Sequence, residues 1–138
     1  MGLIIRENTI GKVCKQKDVI DIMTPIYNSR ADSIKHVEVF YSMGLNGANE
    51  VLYIDLTTFG TVNCCYPIIR EILRSAIVKN AVSIICVHNH PSGNVRPSLA
   101  DNKYTRELRK ACDVVGVKLI DHVIMGDTYY SYSDEGTL

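Results

Sequence analysis

The chain has 138 residues, 46% of them hydrophobic and 22% charged, which suits one globular domain able to bury a sizeable core. Fifteen basic residues balance fifteen acidic ones. The clustered positive excess that phosphate backbones demand is missing, which argues against direct nucleic-acid binding. No apolar run approaches the roughly 20 residues that span a bilayer, and Met1–Glu7 lacks the basic-then-apolar build of a signal peptide. The expectation is a cytoplasmic protein with no membrane partner.

Residues 1–14 read as an entry segment, with a short strand near Thr9–Cys14, ahead of one domain over 15–138. A helix begins near Gln16 and carries Val19, Ile20, Met23 and Ile26–Tyr27 at helical spacing. Pro25 is expected to kink it or divide it in two. His36–Tyr41 alternates as a strand, with Val37, Val39 and Tyr41 on one face and His36, Glu38 and Phe40 on the other. Gly44–Asn49 supplies a turn, and Glu50–Phe59 reads as the return strand of a hairpin. Gly60 and Asn63 mark a loop before a helix from Pro67 to Lys79. Its buried stripe would be Ile68, Ile69, Ile72, Leu73 and Ala76, with Pro67 in its first turn.

Val82–Val87 is a continuous apolar strand. A helix follows from Ser98 to Val115, stopped by Gly116. Val117–Met125 and Tyr129–Ser133 close the chain as strands around the turn Gly126–Thr128. Strands interleaved with helices and hairpins predict a single α/β domain with a mixed, mostly antiparallel sheet flanked by helices. The five cysteines are odd in number and show no C-x-x-C spacing. Cys64 and Cys65 are adjacent and alternate faces if extended, so reduced, packed thiols are expected. Lys103, Arg106, Arg109 and Lys110 read as a solvated helix face.

The most informative stretch is His88-Asn89-His90-Pro91-Ser92-Gly93-Asn94-Val95-Arg96-Pro97-Ser98-Leu99-Ala100-Asp101. Side chains two apart on a strand share a face, so His88 and His90 leave the end of the apolar strand side by side. The Pro/Gly-rich turn brings Asp101 back on the first turn of the next helix. Two imidazoles and a carboxylate are a ligand set typical of a catalytic zinc that keeps a fourth position open. Ser98 with Asp101 is also a helix-capping signature, and one pair of side chains can serve both purposes.

His88-x-His90, seven residues, Ser98, two residues, Asp101 resembles the JAMM (JAB/MPN-type) zinc metallopeptidase motif without a spacing error. His88–Asn94 with Pro97-Ser98 looks like the RadC-like branch of that superfamily, as do Gly60-Thr61-Val62-Asn63, Arg70-Glu71, Asp121-His122 and Tyr130-Ser131. The resemblance covers residues 15–138. It implies a JAB/MPN, cytidine-deaminase-like architecture in which His88, His90 and Asp101 hold Zn²⁺. It also implies a glutamate base on an earlier strand, for which Glu38 is the best match, placed in mid-strand. Ser98 is implied to donate a hydrogen bond to an oxyanion. Glu50, Asp55 and Glu71 are weaker candidates for the base. Asn89 occupies a position where many peptidase members carry Ser or Thr.

The leading expectation is therefore a zinc-dependent hydrolase, of metallopeptidase or isopeptidase type, acting on a peptide or protein substrate. The alternative is a non-catalytic metal-binding module associated with DNA repair, recombination or mobile elements. Nucleobase deamination needs a P-C-x-x-C ligand pair that the chain lacks, and a Mg²⁺ nuclease would favour carboxylates over two imidazoles. For His122 a packed or surface histidine is favoured over a group behind the metal ligands, and His36 reads as a strand-surface residue.

Overall fold

Seven consecutive buried residues make Ser83–Asn89 (β3) the middle of the sheet. A computed structural model describes residues 10–30, 35–59 and 66–138. The expectations for the first nine residues, for Gly60–Asn63 and for Cys64–Cys65 lie outside the described residues. The other strands are Val39–Leu45 (β1), Val51–Phe59 (β2), Lys118–Met125 (β4) and Tyr129–Ser131 (β5). Among the described residues the sheet order is β2-β1-β3-β4-β5. The pairings β1–β2, β1–β3 and β4–β5 are antiparallel and β3–β4 is parallel, so the sheet is mixed and mostly antiparallel.

The helices are Gln16–Asn28 (α1), Ile69–Val78 (α2) and Leu99–Val115 (α3). Val19, Met23 and Tyr27 of α1 pack on one face of the sheet against Val39, Tyr41, Met43 and Leu45. Ile72 and Ala76 of α2 and Tyr104, Leu108 and Cys112 of α3 cover the other face, against Phe40, Ile84, Cys86 and Leu119. The result is an α/β sandwich with the sheet buried on both sides. Among the described residues no helix is long and apolar enough to cross a membrane.

Several expectations shift. Pro25 does not divide α1, which continues to Asn28. Both Pro25 and Asp21, whose carbonyl loses its helical donor, are exposed, so the missing bond is not a buried one. The first hairpin strand runs over Val39–Leu45 rather than His36–Tyr41, so Glu38 sits immediately before it and not in mid-strand. Gly44 and Leu45 belong to the strand, and the turn is built by Asn46, whose Oδ1 accepts the amides of Ala48 and Glu50 at 2.9 and 3.0 Å. Gly44 is required because the Tyr53 ring crosses it: a Cβ there would lie 2.0 Å from that ring.

Helix α2 starts two residues later than Pro67, whose carbonyl instead accepts from the Tyr104 hydroxyl at 2.8 Å. Ile68 is the extended cap residue and is 62% exposed, so it leaves the buried stripe. At the far end of α3, Gly116 adopts φ 79°, the left-handed cap conformation that glycine takes without strain. The last strand stops at Ser131 because the Asp121 carboxylate binds the Ser131 hydroxyl at 2.6 Å and the Ser133 amide at 2.9 Å.

Candidate metal centre

The C-terminal end of β3 faces the α2/α3 side, where His88 is fully buried and stacks on Phe40 with 5.6 Å between ring centroids. His90 lies one residue past the strand. Its amide still binds the Met125 carbonyl at 2.9 Å, and its Nδ1 lies 2.8 Å from the Asn94 carbonyl. A carbonyl only accepts, so His90 Nδ1 carries a hydrogen and its Nε2 turns inward. Asp101, on the first turn of α3, receives the Ser98 amide on Oδ2 at 2.8 Å while Ser98 Oγ accepts the Asp101 amide at 3.0 Å. The expected capping box is thus present, and it aims the carboxylate at the histidines. The Tyr66 hydroxyl donates to Asp101 Oδ1.

Glu38, His88, His90 and Asp101 each offer one ligand atom, and these atoms all lie within 4.8 Å of one another. His88 Nε2 is 3.2 Å from His90 Nε2, 3.4 Å from Asp101 Oδ1 and 3.3 Å from Glu38 Oε1. His90 Nε2 is 3.1 Å from Asp101 Oδ2. Access is graded: the side chains of His88 and Asp101 are 0% and 2% exposed, whereas those of Glu38 and His90 are 13% and 17% exposed. Glu38, His90 and the exposed Ser98 therefore mark the open side.

Asn89, between the two histidines, points to the other face and holds the chain on both sides of Glu38. Its Oδ1 accepts the Val39 amide at 2.8 Å, and its Nδ2 donates to the Val37 carbonyl at 3.2 Å. The Tyr27 hydroxyl adds a bond to the Val39 carbonyl at 3.0 Å.

Burial opposes ionisation of Asp101, yet hydrogen bonds from His88, His90 and Tyr66 hold its carboxyl well below the usual carboxylate range. The bond to Asp101 raises the His90 imidazole above its ordinary value against the effect of burial. Burial and the neighbouring His88 push His122 well below its ordinary value.

The weaker candidates stay away. Glu50 holds Asn46 at the hairpin turn, Asp55 pairs with Lys79 at 3.2 Å, and Glu71 pairs with Arg74 on an exposed helix face. His36 is exposed before β1. His122 is a packed histidine, as favoured, and its Nε2 also lies 2.8 Å from His88 Nδ1, directly behind a candidate ligand. The cause is a bulge: the β3–β4 register shifts between Ile84 and Ile85, so Leu119 and His122 both face the α3 side. Tyr66 was not legible as part of the site, because no spacing relates it to the histidine motif.

An α/β sandwich whose central strand ends in His-x-His, with a carboxylate returning on the next helix, is the arrangement of a JAB-type domain. The chain belongs to the RadC-like JAB domain family, whose model matches residues 13–137. It is similar to the UPF0758 protein of Chlorobium chlorochromatii (strain CaD3), 40% identical over 132 residues, covering 95% of this chain and 57% of the relative. The UPF0758 protein of Methanosarcina acetivorans is 34% identical over 126 residues, with 91% and 53% covered. That of Photorhabdus laumondii is 46% identical over 89 residues, with 64% and 39% covered. The chain spans about half the length of the curated relatives it matches.

Proposed function

We propose that this domain is a zinc-dependent hydrolase of amide bonds, of metallopeptidase or isopeptidase type, acting on a peptide or protein substrate. The observation that carries this reading is the position of Glu38, whose carboxylate reaches the donor cluster from its open side, 3.3 Å from His88 Nε2. The donor set fits zinc. Ligands bound at about 2.05 Å in a tetrahedron stand about 3.3 Å apart, and His88 Nε2 lies 3.2 Å from His90 Nε2 and 3.4 Å from Asp101 Oδ1, while His90 Nε2 meets the other carboxylate oxygen, Oδ2, at 3.1 Å. His88, His90 and Asp101 would hold the ion through two nitrogens and one oxygen.

Zinc, when bound, supplies a Lewis acid that lowers the pKa of a water to roughly 7 and polarises a carbonyl. Glu38 acts as the general base, taking the proton of the attacking water and passing it to the leaving amine. Its partial exposure lets it meet a substrate without leaving the cluster. Ser98 spends its oxygen lone pair on the Asp101 amide, and its hydrogen points outward as a donor to the oxyanion. Asn89 holds the Glu38 peptide in place, and Asp101 stays ionised at any working pH.

A second reading rests on the same contact. Glu38 lies close enough to complete a closed four-donor set, the hallmark of a structural rather than a catalytic metal site. A peptide-library cleavage screen of the zinc-loaded protein separates the two, with Glu38→Gln as control and zinc measured by atomic absorption. A hydrolase keeps stoichiometric zinc in the variant and loses cleavage. Undiminished cleavage removes Glu38 from the base role, and loss of zinc together with absence of cleavage in the wild type favours the structural site. Full zinc retention by His88→Ala or Asp101→Ala would overturn the ligand assignment.

A further inference from the structure

Behind the donor cluster a short chain of buried polar groups runs from α3 through β4 to β3. Thr105, one turn after Asp101, places Oγ1 2.7 Å from the Asp101 main-chain carbonyl and 2.6 Å from His122 Nδ1. His122 Nε2 lies 2.8 Å from His88 Nδ1. From this geometry, and resting on the metal-centre reading above, we infer that Thr105 and His122 are positioning residues that hold a hydrogen on His88 Nδ1 and so turn His88 Nε2 toward the donor cluster.

The available hydrogens fix which atom donates in each contact. A carbonyl oxygen accepts and never donates, and a hydroxyl owns one hydrogen. The Thr105 hydrogen therefore goes to the Asp101 carbonyl, and Thr105 Oγ1 must accept from His122 Nδ1–H. The His122 ring is fully buried, has no carboxylate within hydrogen-bond distance among the described residues, and stacks on Tyr132 with ring centroids 5.1 Å apart, so it is neutral and carries one ring hydrogen. Its Nε2 is then bare and accepts from His88 Nδ1–H. His88 Nε2 is thereby turned into the cluster, 3.2 Å from His90 Nε2 and 3.4 Å from Asp101 Oδ1.

The opposite tautomer of His88 would leave its Nδ1 bare against the bare Nε2 of His122, two lone pairs 2.8 Å apart. Histidine ligands ordinarily anchor their second nitrogen on a carboxylate or a carbonyl, whose polarity is fixed. Here the anchor is another imidazole, which is ambiguous by itself. One threonine hydrogen settles both rings. The β4 bulge is what brings His122 to this face.

Ring-nitrogen NMR of the metal-free protein reads the inference without any substrate. A protonated Nδ1 is expected in both rings, with a bare Nε2 in His122, and a bare Nδ1 on His88 overturns it. Zinc titration against a competing chelator, on variants checked for folding by circular dichroism, gives the second readout. His122→Phe keeps the ring shape and removes the acceptor, and is expected to weaken zinc binding about 10–100-fold. His122→Gln restores an acceptor oxygen near His88 Nδ1 and should recover most of the loss. Thr105→Val should leave the fold intact and give mixed ring signals for His122. A folded His122→Phe that binds zinc as tightly as the wild type refutes the positioning role alone. A wild-type protein that takes up no zinc refutes the metal centre itself, while the ring signals still decide the tautomer.

Discussion

Replacing Ser98 by alanine tests whether the cap of α3 and the chemistry of the site are separable. Ser98 Oγ accepts the Asp101 amide at 3.0 Å, and the reciprocal bond runs from the Ser98 main-chain amide to Asp101 Oδ2 at 2.8 Å. Alanine deletes the first bond and keeps the second. One helix amide loses its acceptor, while the carboxylate that complements the helix dipole stays in place. The loss should therefore fall near the middle of the N-cap range, about 1 kcal/mol. For a domain of this size that shifts the melting temperature of the metal-free protein by about 4 °C.

Zinc affinity should not change in Ser98→Ala, because the bond that aims Asp101 comes from the main chain. Hydrolysis should fall by about 10²–10³, the usual loss of one oxyanion donor. Ser98→Asn restores the cap without the hydroxyl, so it should recover the melting temperature and leave hydrolysis low. Calorimetry, zinc titration and a cleavage assay on the three proteins suffice. A collapse of zinc affinity in Ser98→Ala would refute the claim that a main-chain amide orients the ligand, and an unchanged melting temperature would refute the cap.

Gly44→Ala drives a Cβ to 2.0 Å from the Tyr53 ring and should cost about 1–3 kcal/mol in urea unfolding, the range of an overpacked core. Tyr66→Phe removes the donor to Asp101 Oδ1 and should weaken zinc binding about tenfold by chelator competition. Zinc affinity should fall as pH falls, because ligand imidazoles must be deprotonated. The decline should begin above the ordinary histidine value, since Asp101 holds the His90 proton in the metal-free protein. Affinity that stays flat down to pH 5.5, one unit below the ordinary histidine value of about 6.5, would contradict that order.

The parts of the site legible in the sequence are those governed by a fixed period. Alternation along an apolar strand placed His88 and His90 together, and the spacing of a capping box placed Asp101 beside them. Glu38 was found on the correct face for the same reason, although pairing with β3 starts only at Phe40. His122 shows where such reading fails. Regular alternation over Val117–Met125 puts His122 with Lys118 and Ile120, away from His88, and only the bulge reverses it. Ile68 was misplaced because a helix boundary moved by two residues, which turned a stripe position into an extended cap. Tyr66 reaches Asp101 across 35 positions of sequence, a distance that local patterns do not bridge.

The clamp formed by Asn89 has a mechanical consequence. The three proposed ligands ride on β3, the residue just past it and α3, whereas the proposed base hangs two residues outside the ladder that joins β1 to β3. Apart from the chain itself, the Asn89 amide ties that overhang directly to β3, with the Tyr27 hydroxyl at the Val39 carbonyl and the Arg30 guanidinium at the Val37 carbonyl beside it. Releasing it would swing the carboxylate out and leave the ion's seat undisturbed. On the proposed reading, one side chain thus separates a protein that only holds the ion from one that cleaves.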